Sequence, residues 1–229
     1  MGFENSGDQD NAQENKRAEK EQRWNQISEL AAKEWGDSRG HGIDEGICDV
    51  VVSFNVMEIP TSASCEGHVD SGVPHPWVRV EADGKPEEQF EQEREVAERI
   101  AQERGVEIEQ ILRSRDYEGW MRWREERKKY PETTAYQEWR KKQLELVQRI
   151  EELLRQFNLS RNPNEDVRLQ CDDGPEAAHI ENGGESDIPF FRLKEATEEI
   201  MEKRKERLVI LQKEMRDFGE FLKQRYFEE

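Results

Sequence analysis

A chain of 229 residues with 38% charged and only 33% hydrophobic side chains supports a small apolar core, so much of its helix must stand in water. Acids outnumber bases 53 to 35, a formal charge of −18, which argues against a general electrostatic grip on DNA or RNA, since that grip rests on clustered Lys and Arg. No window approaches the ~18 apolar residues of a membrane span, and the polar start lacks a basic region followed by an apolar run, so the expected location is cytoplasmic, with no membrane partner.

Residues 1–14 carry too few apolar groups to offset the entropy of ordering and are expected to form a disordered leader. Trp24, Ile27, Ala31 and Trp35 recur at three- and four-residue spacing up to Gly36, which predicts an amphipathic helix over 15–35. Beyond the turn at Gly40, His41 and Gly42, Asp44 is placed to cap a helix over 44–58, with Ile47, Val50, Val51, Phe54 and Met57 on one broad apolar face. Ile59 and Pro60 end it. Residues 61–65 have the composition of a short strand, and 77–82 alternate apolar with charged, as a strand with one wet face does.

Pro86, Glu87 and Glu88 open a helix through Phe90, Val96, Ala97 and Ile100 that stops at Gly105, and a short helix follows over 107–114. From 116 to 158 the pattern is helical and wet. Trp120, Trp123 and Tyr130 precede Pro131, and Tyr136, Trp139, Gln143, Val147, Ile150, Leu154 and Phe157 follow at threes and fours. Over 192–226, Met201, Leu208, Leu211, Met215, Phe218, Leu222 and Tyr226 make a matching stripe, so the two segments are expected to pair as an antiparallel, coiled-coil-like hairpin. Between them, 166–171 and 177–182 alternate around Asp173, Gly174 and Pro175, the pattern of a β-hairpin.

The expected fold is therefore α+β, with a small sheet of about four strands packed against helices. Its core takes residues 15–115 and 166–190, 116–158 form a helical insertion, and 191–229 form a C-terminal helix pairing with that insertion. Five cations, Arg122, Arg124, Arg127, Lys128 and Lys129, crowd one stretch, but Glu118, Glu125 and Glu126 interrupt them. Trp120 and Trp123 read better as a docking face than as a base-stacking platform.

The segment 60–77 is the one stretch that looks built around a site. Ser62, Ala63 and Ser64 are small enough for a close approach, and Gly67 permits a sharp turn after Cys65. Cys65 and His68 have Cys-x-x-His spacing, which can chelate one ion such as zinc, and His75 lies seven residues on between two prolines. If the hairpin stands beside this strand, Cys171 or His179 supplies a further ligand. Four readings stay open: a metal site at Cys65, His68 and His75; a Cys65 nucleophile with His68 or His75 as base; a polar-ligand loop using Ser62, Ser64, Gly67 and His68; or a strand end in which Cys65 only packs. Cys48, beside Ile47, reads as packing, and His41 as a turn residue. Glu45, Glu66, Asp70 and Glu81 supply carboxylates, which are common in so acidic a chain.

The run Ile59-Pro-Thr-Ser-Ala-Ser-Cys-Glu-Gly-His68 after an apolar helix, with Pro76-Trp77-Val78 beyond it, resembles a group of small bacterial and phage proteins in which a helix leads to a Ser-Cys-x-Gly-His loop. The likeness covers about 41–82 and implies no particular activity. The same run is more faintly similar to the Ser-Ser-Cys-Ser-Gly-Arg turn of the wybutosine-synthesis transfer-RNA methyltransferase family, with Ala63, Glu66 and His68 standing where that pattern has serine, serine and arginine. Loss of the arginine removes a phosphate or carboxylate fork. The expected function is a small polar-ligand or metal site on a cytoplasmic protein. The alternatives are a Cys-dependent or nucleotide-modifying enzyme and a helical scaffold that self-associates through its long helices.

Overall fold

The computed structural model describes residues 6–35, 42–70, 73–174, 177–183 and 197–228. Among them are helices α1 (Ser6–Lys33), α2 (Glu45–Val56), α3 (Glu93–Arg104), α4 (Ile108–Leu112), α5 (Tyr117–Arg127), α6 (Thr134–Arg161) and α7 (Glu198–Glu228). The strands are β1 (Thr61–Cys65), β2 (Trp77–Val80), β3 (Leu169–Asp173) and β4 (Ala178–Asn182), and they form one antiparallel sheet in the order β1-β2-β4-β3. The class is α+β, and the hairpin does return to the sheet begun at Thr61. None of the described helices is long and apolar enough to cross a membrane.

Two compact units divide the chain, one of Met1–Glu81 with Leu146–Glu229 and one of Ala82–Glu145. In the first, period-two alternation sends Val78, Val80, Ala178 and Ile180 to the buried face, while Trp77, Arg79, His179 and Glu181 lie on the other. Ile47, Val50, Val51 and Phe54 of α2 meet that buried face, and Ile150 and Phe157 of α6 with Met215, Phe218 and Leu222 of α7 complete the core. Gly219 lets α7 come close to α2, since a Cβ there would lie 3.2 Å from Val50 Cγ2 and 3.3 Å from its backbone nitrogen.

Three expectations need correction. The stripe on α7 does not pair with one long insertion. It packs chiefly along α2 and meets α6 near its end, where Phe157 lies 5.1 Å from Phe218 between ring centroids and Arg161 reaches Glu214 at 3.0 Å. An apolar stripe is satisfied by any complementary apolar face, and α2 presents the broadest one. The insertion is also differently bounded, because the compact unit runs over Ala82–Glu145, with Leu146 onward in the first unit. Finally, α1 begins at Ser6, inside the expected leader. Once Trp24 and Ala31 are buried with Val52, Val56 and Tyr226, each further residue adds a helical hydrogen bond without a new nucleation cost. Gly36 and His41 lie outside the described residues, as does 184–196.

The second unit has its own core, in which Val96, Ala97, Ile100 and Ala101 of α3 pack with Ile111 and Trp123. Helix α3 starts at Glu93, later than the Pro86 signal suggests. Gln92 sits at φ +57°, and the Glu93 carboxylate accepts from the Gln89 and Phe90 amides at 2.7 and 3.0 Å, so Glu93 closes the turn before its own helix. Nearly buried Arg127 pairs with Glu93, and its guanidinium stacks 4.3 Å above the Trp123 ring, whose indole N–H donates to the Glu93 carbonyl at 3.1 Å. Arg99 and Arg122 each reach Glu126 at 2.6 Å and together hold its carboxyl down at about 2. Arg124 lies over Trp120 at 4.8 Å and Lys128 pairs with Glu125. Four of the five crowded cations thus have partners within this unit.

Candidate cation site

The site forms where β1 ends against the start of α2. The sequence places Asp44 as a helix cap, but its side chain makes no capping bond. Its Oδ2 instead accepts the Glu66 amide at 3.0 Å. Glu66 returns the service, since its Oε2 accepts from the Gly46 amide in the first turn of α2 at 3.1 Å, where a negative group also suits the helix dipole. Across the loop, Gln212 Nε2 of α7 donates to the Glu66 carbonyl at 3.1 Å.

Gly67 makes the next step possible. At φ +83° it takes a conformation that L side chains rarely adopt, and a Cβ there would lie 2.7 Å from the His75 carbonyl carbon. Its amide donates to Cys65 Sγ at 3.3 Å, and the His68 amide donates to the Val73 carbonyl at 3.0 Å. The turn brings one ligand-type atom each of Asp44, Cys65 and His68 within 4.8 Å of one another, the one such grouping of His, Cys or acid side chains among the described residues. His68 Nε2 lies 3.9 Å from Asp44 Oδ2, and those side chains are 42% and 34% exposed. Gly67→Ala is expected to cost about 1–3 kcal/mol from the strained backbone and the collision with His75. Urea unfolding checks it, and an unchanged midpoint would show that the turn relaxes freely.

Burial pushes the Cys65 thiol above its ordinary value, the Gly67 N–H bond opposes it, and the charges of Asp44 and Glu66 add to the rise. As a free thiol it is therefore protonated near neutral pH, which works against nucleophilic attack.

The other expected residues lie elsewhere. His75 does not join the trio: its Nε2 is 3.1 Å from Glu181 Oε2, and this contact lowers the Glu181 carboxyl. Ser64 pairs with Val78 and Cys65 with Trp77, so their side chains leave opposite faces of the sheet, and Ser62 is exposed. Cys171 stands on β3, the far edge from β1, three strand spacings or roughly 14 Å away. It packs against the core, and burial followed by nearby carboxylates pushes its thiol up to about 12. His179, two strands from β1, sets its ring 6.0 Å from Trp77. Neither completes a shared site with Cys65. Cys48 packs beside Trp24 and Val52.

Asp44 is the residue that sequence reasoning missed. It lies twenty-one positions before Cys65, and its only local signal, an acid before an apolar helix, has a commoner explanation as a cap. Compared with protein-family models, curated proteins and solved structures, the chain has no match.

Proposed function

We propose that Asp44, Cys65 and His68 bind a divalent transition-metal cation of the zinc type, with a fourth position open to solvent or a small ligand. The observation that carries this reading is the convergence of one carboxylate oxygen, one sulfur and one imidazole nitrogen within 4.8 Å. Tetrahedral zinc bonds to such atoms place them roughly 3.3–3.6 Å apart, so the half-exposed side chains of Asp44 and His68 need only small movements. A hydrolytic relay uses the two nitrogens of a histidine for different partners, whereas here one nitrogen faces both the sulfur and the carboxylate. The Gly67 N–H to the sulfur is the kind of bond that stabilises a metal-bound thiolate. A cation also turns the Asp44 charge from a group that opposes thiol ionisation into a fellow ligand.

Three protein ligands and an open fourth position are the arrangement in which a cation polarises a bound group. The test is metal content and titration of the purified chain with Co²⁺ or Zn²⁺. One equivalent is expected, with a cobalt–thiolate absorption band. Cys65→Ala and His68→Ala should each abolish the band, while His75→Ala should keep it. Uptake below about a tenth of an equivalent would defeat the proposal.

A further inference from the structure

Resting on that cation reading, we infer that Glu66 is the positioning residue of the site and that Gln212 links it to α7, so that cation binding and the seating of the C-terminal helix reinforce each other. Glu66 bears none of the three ligand atoms, yet its amide, carboxylate and carbonyl each hold a different part of the frame. The amide donates to Asp44 Oδ2 at 3.0 Å and so fixes which way that ligand faces. The carboxylate accepts the Gly46 amide at 3.1 Å and ties the turn to α2. The carbonyl accepts from Gln212 Nε2 at 3.1 Å and ties it to α7, 146 residues further along.

A second contact supports the same link. The space above Gly67 is closed on one side by the His75 backbone and on the other by Leu208 of α7, whose Cδ1 would lie 2.9 Å from a Cβ on Gly67. Leu208 and Gln212 are one helical turn apart and so share a face of α7. Gly67 in turn carries the N–H directed at the Cys65 sulfur. Thus α7 sets Leu208 beside the residue that donates to one ligand and bonds to the residue that orients another. Groups that orient ligands without touching the metal typically change affinity 10–100-fold when removed. Coupling of this kind is reciprocal, so whatever the α7 contacts contribute to cation affinity, the cation returns to the seating of α7.

The experiment compares Co²⁺ affinity and the cobalt spectrum of wild type, Glu66→Ala, Glu66→Gln and Gln212→Ala, with hydrogen exchange of 205–215 measured with and without the ion. Glu66→Gln keeps an oxygen for the Gly46 amide and is expected to bind within about threefold of wild type. Glu66→Ala and Gln212→Ala are expected to lose 10–100-fold in affinity with a shifted absorption band, at unchanged helix content in the metal-free state. Cobalt should slow exchange in 205–215 of wild type but not of Gln212→Ala. If wild type binds one equivalent while both alanine variants match its affinity and spectrum, the positioning role is overturned and the cation site stands. If wild type binds no cobalt, both fall. A Glu66→Gln loss as large as that of Glu66→Ala overturns the hydrogen-bond account of the carboxylate.

Discussion

Phe218→Ala is expected to destabilise the chain by about 3–5 kcal/mol, the range for emptying a fully enclosed aromatic site. Phe218 is completely buried and touches Phe157 at 5.1 Å, Phe54 at 6.0 Å and Phe221 at 6.2 Å between ring centroids, so its ring joins α7 to α2 and α6 at once. Three aromatic walls cannot collapse inward together, which places the cost in the upper part of the range. In a chain of this size that corresponds to a fall of roughly 10 °C in the melting temperature. Val209→Ala, on the same helix but 61% exposed, should change stability by no more than about 0.5 kcal/mol. Thermal melting followed by near-ultraviolet circular dichroism reads both. Equal effects would mean that α7 is not held by this cluster.

Arg127→Ala should have an effect of similar size but confined to Ala82–Glu145. The side chains of Arg127 and Glu93 are 11% and 7% exposed, and deleting one member of a buried pair leaves an uncompensated charge that costs about 3–5 kcal/mol. The Gln89 and Phe90 amides still solvate Glu93, which favours the lower end. Against that, the guanidinium covers the Trp123 and Phe90 rings, so packing is lost with the charge. Replacing both partners, as Arg127→Met with Glu93→Gln, should recover most of the loss because no ion is left without a partner. Hydrogen exchange of α3 and α5 measures this. Protection unchanged in the single variant would show that the pair contributes no net stability.

Several parts of this architecture were legible one residue at a time. The β1 segment stood out because Pro60 ends the preceding helix and Thr61–Cys65 is small and β-tolerant, and the structure forms the strand over those residues. The hairpin was legible because residues alternate along its second arm, and in the strand Ala178–Asn182 the residues Ala178, Ile180 and Asn182 are buried while His179 and Glu181 are not. Boundaries controlled by side chains that reach back along the chain were not legible. Pro86 and its acids imitate a helix start, but the Glu93 carboxylate takes the local amides and delays the helix. The wet helices were misread for a related reason, since a heptad-like stripe records that a face is buried without naming its partner.

The candidate site shows the same division. Cys65, Gly67 and His68 are visible in the sequence because a Cys-x-x-His turn needs only local geometry and a glycine. His75 looks equally near along the chain, but the loop turns its ring toward Glu181 on β4. Asp44 comes to the site only because α2 begins where β1 ends, so that the Glu66 amide can take its carboxylate.

The amino-acid sequence alone therefore determined the fold class, the strand set and the turn that joins Cys65 to His68, because periodicity, breakers and φ preferences act over a few residues. Only the tertiary structure decided which helix α7 packs along, which unit each aromatic belongs to, and that Asp44 rather than His75, Cys171 or His179 joins the trio. Those choices depend on which apolar faces fit together and which buried amides find acceptors. Both are properties of the folded whole and leave no mark at fixed spacing along the chain.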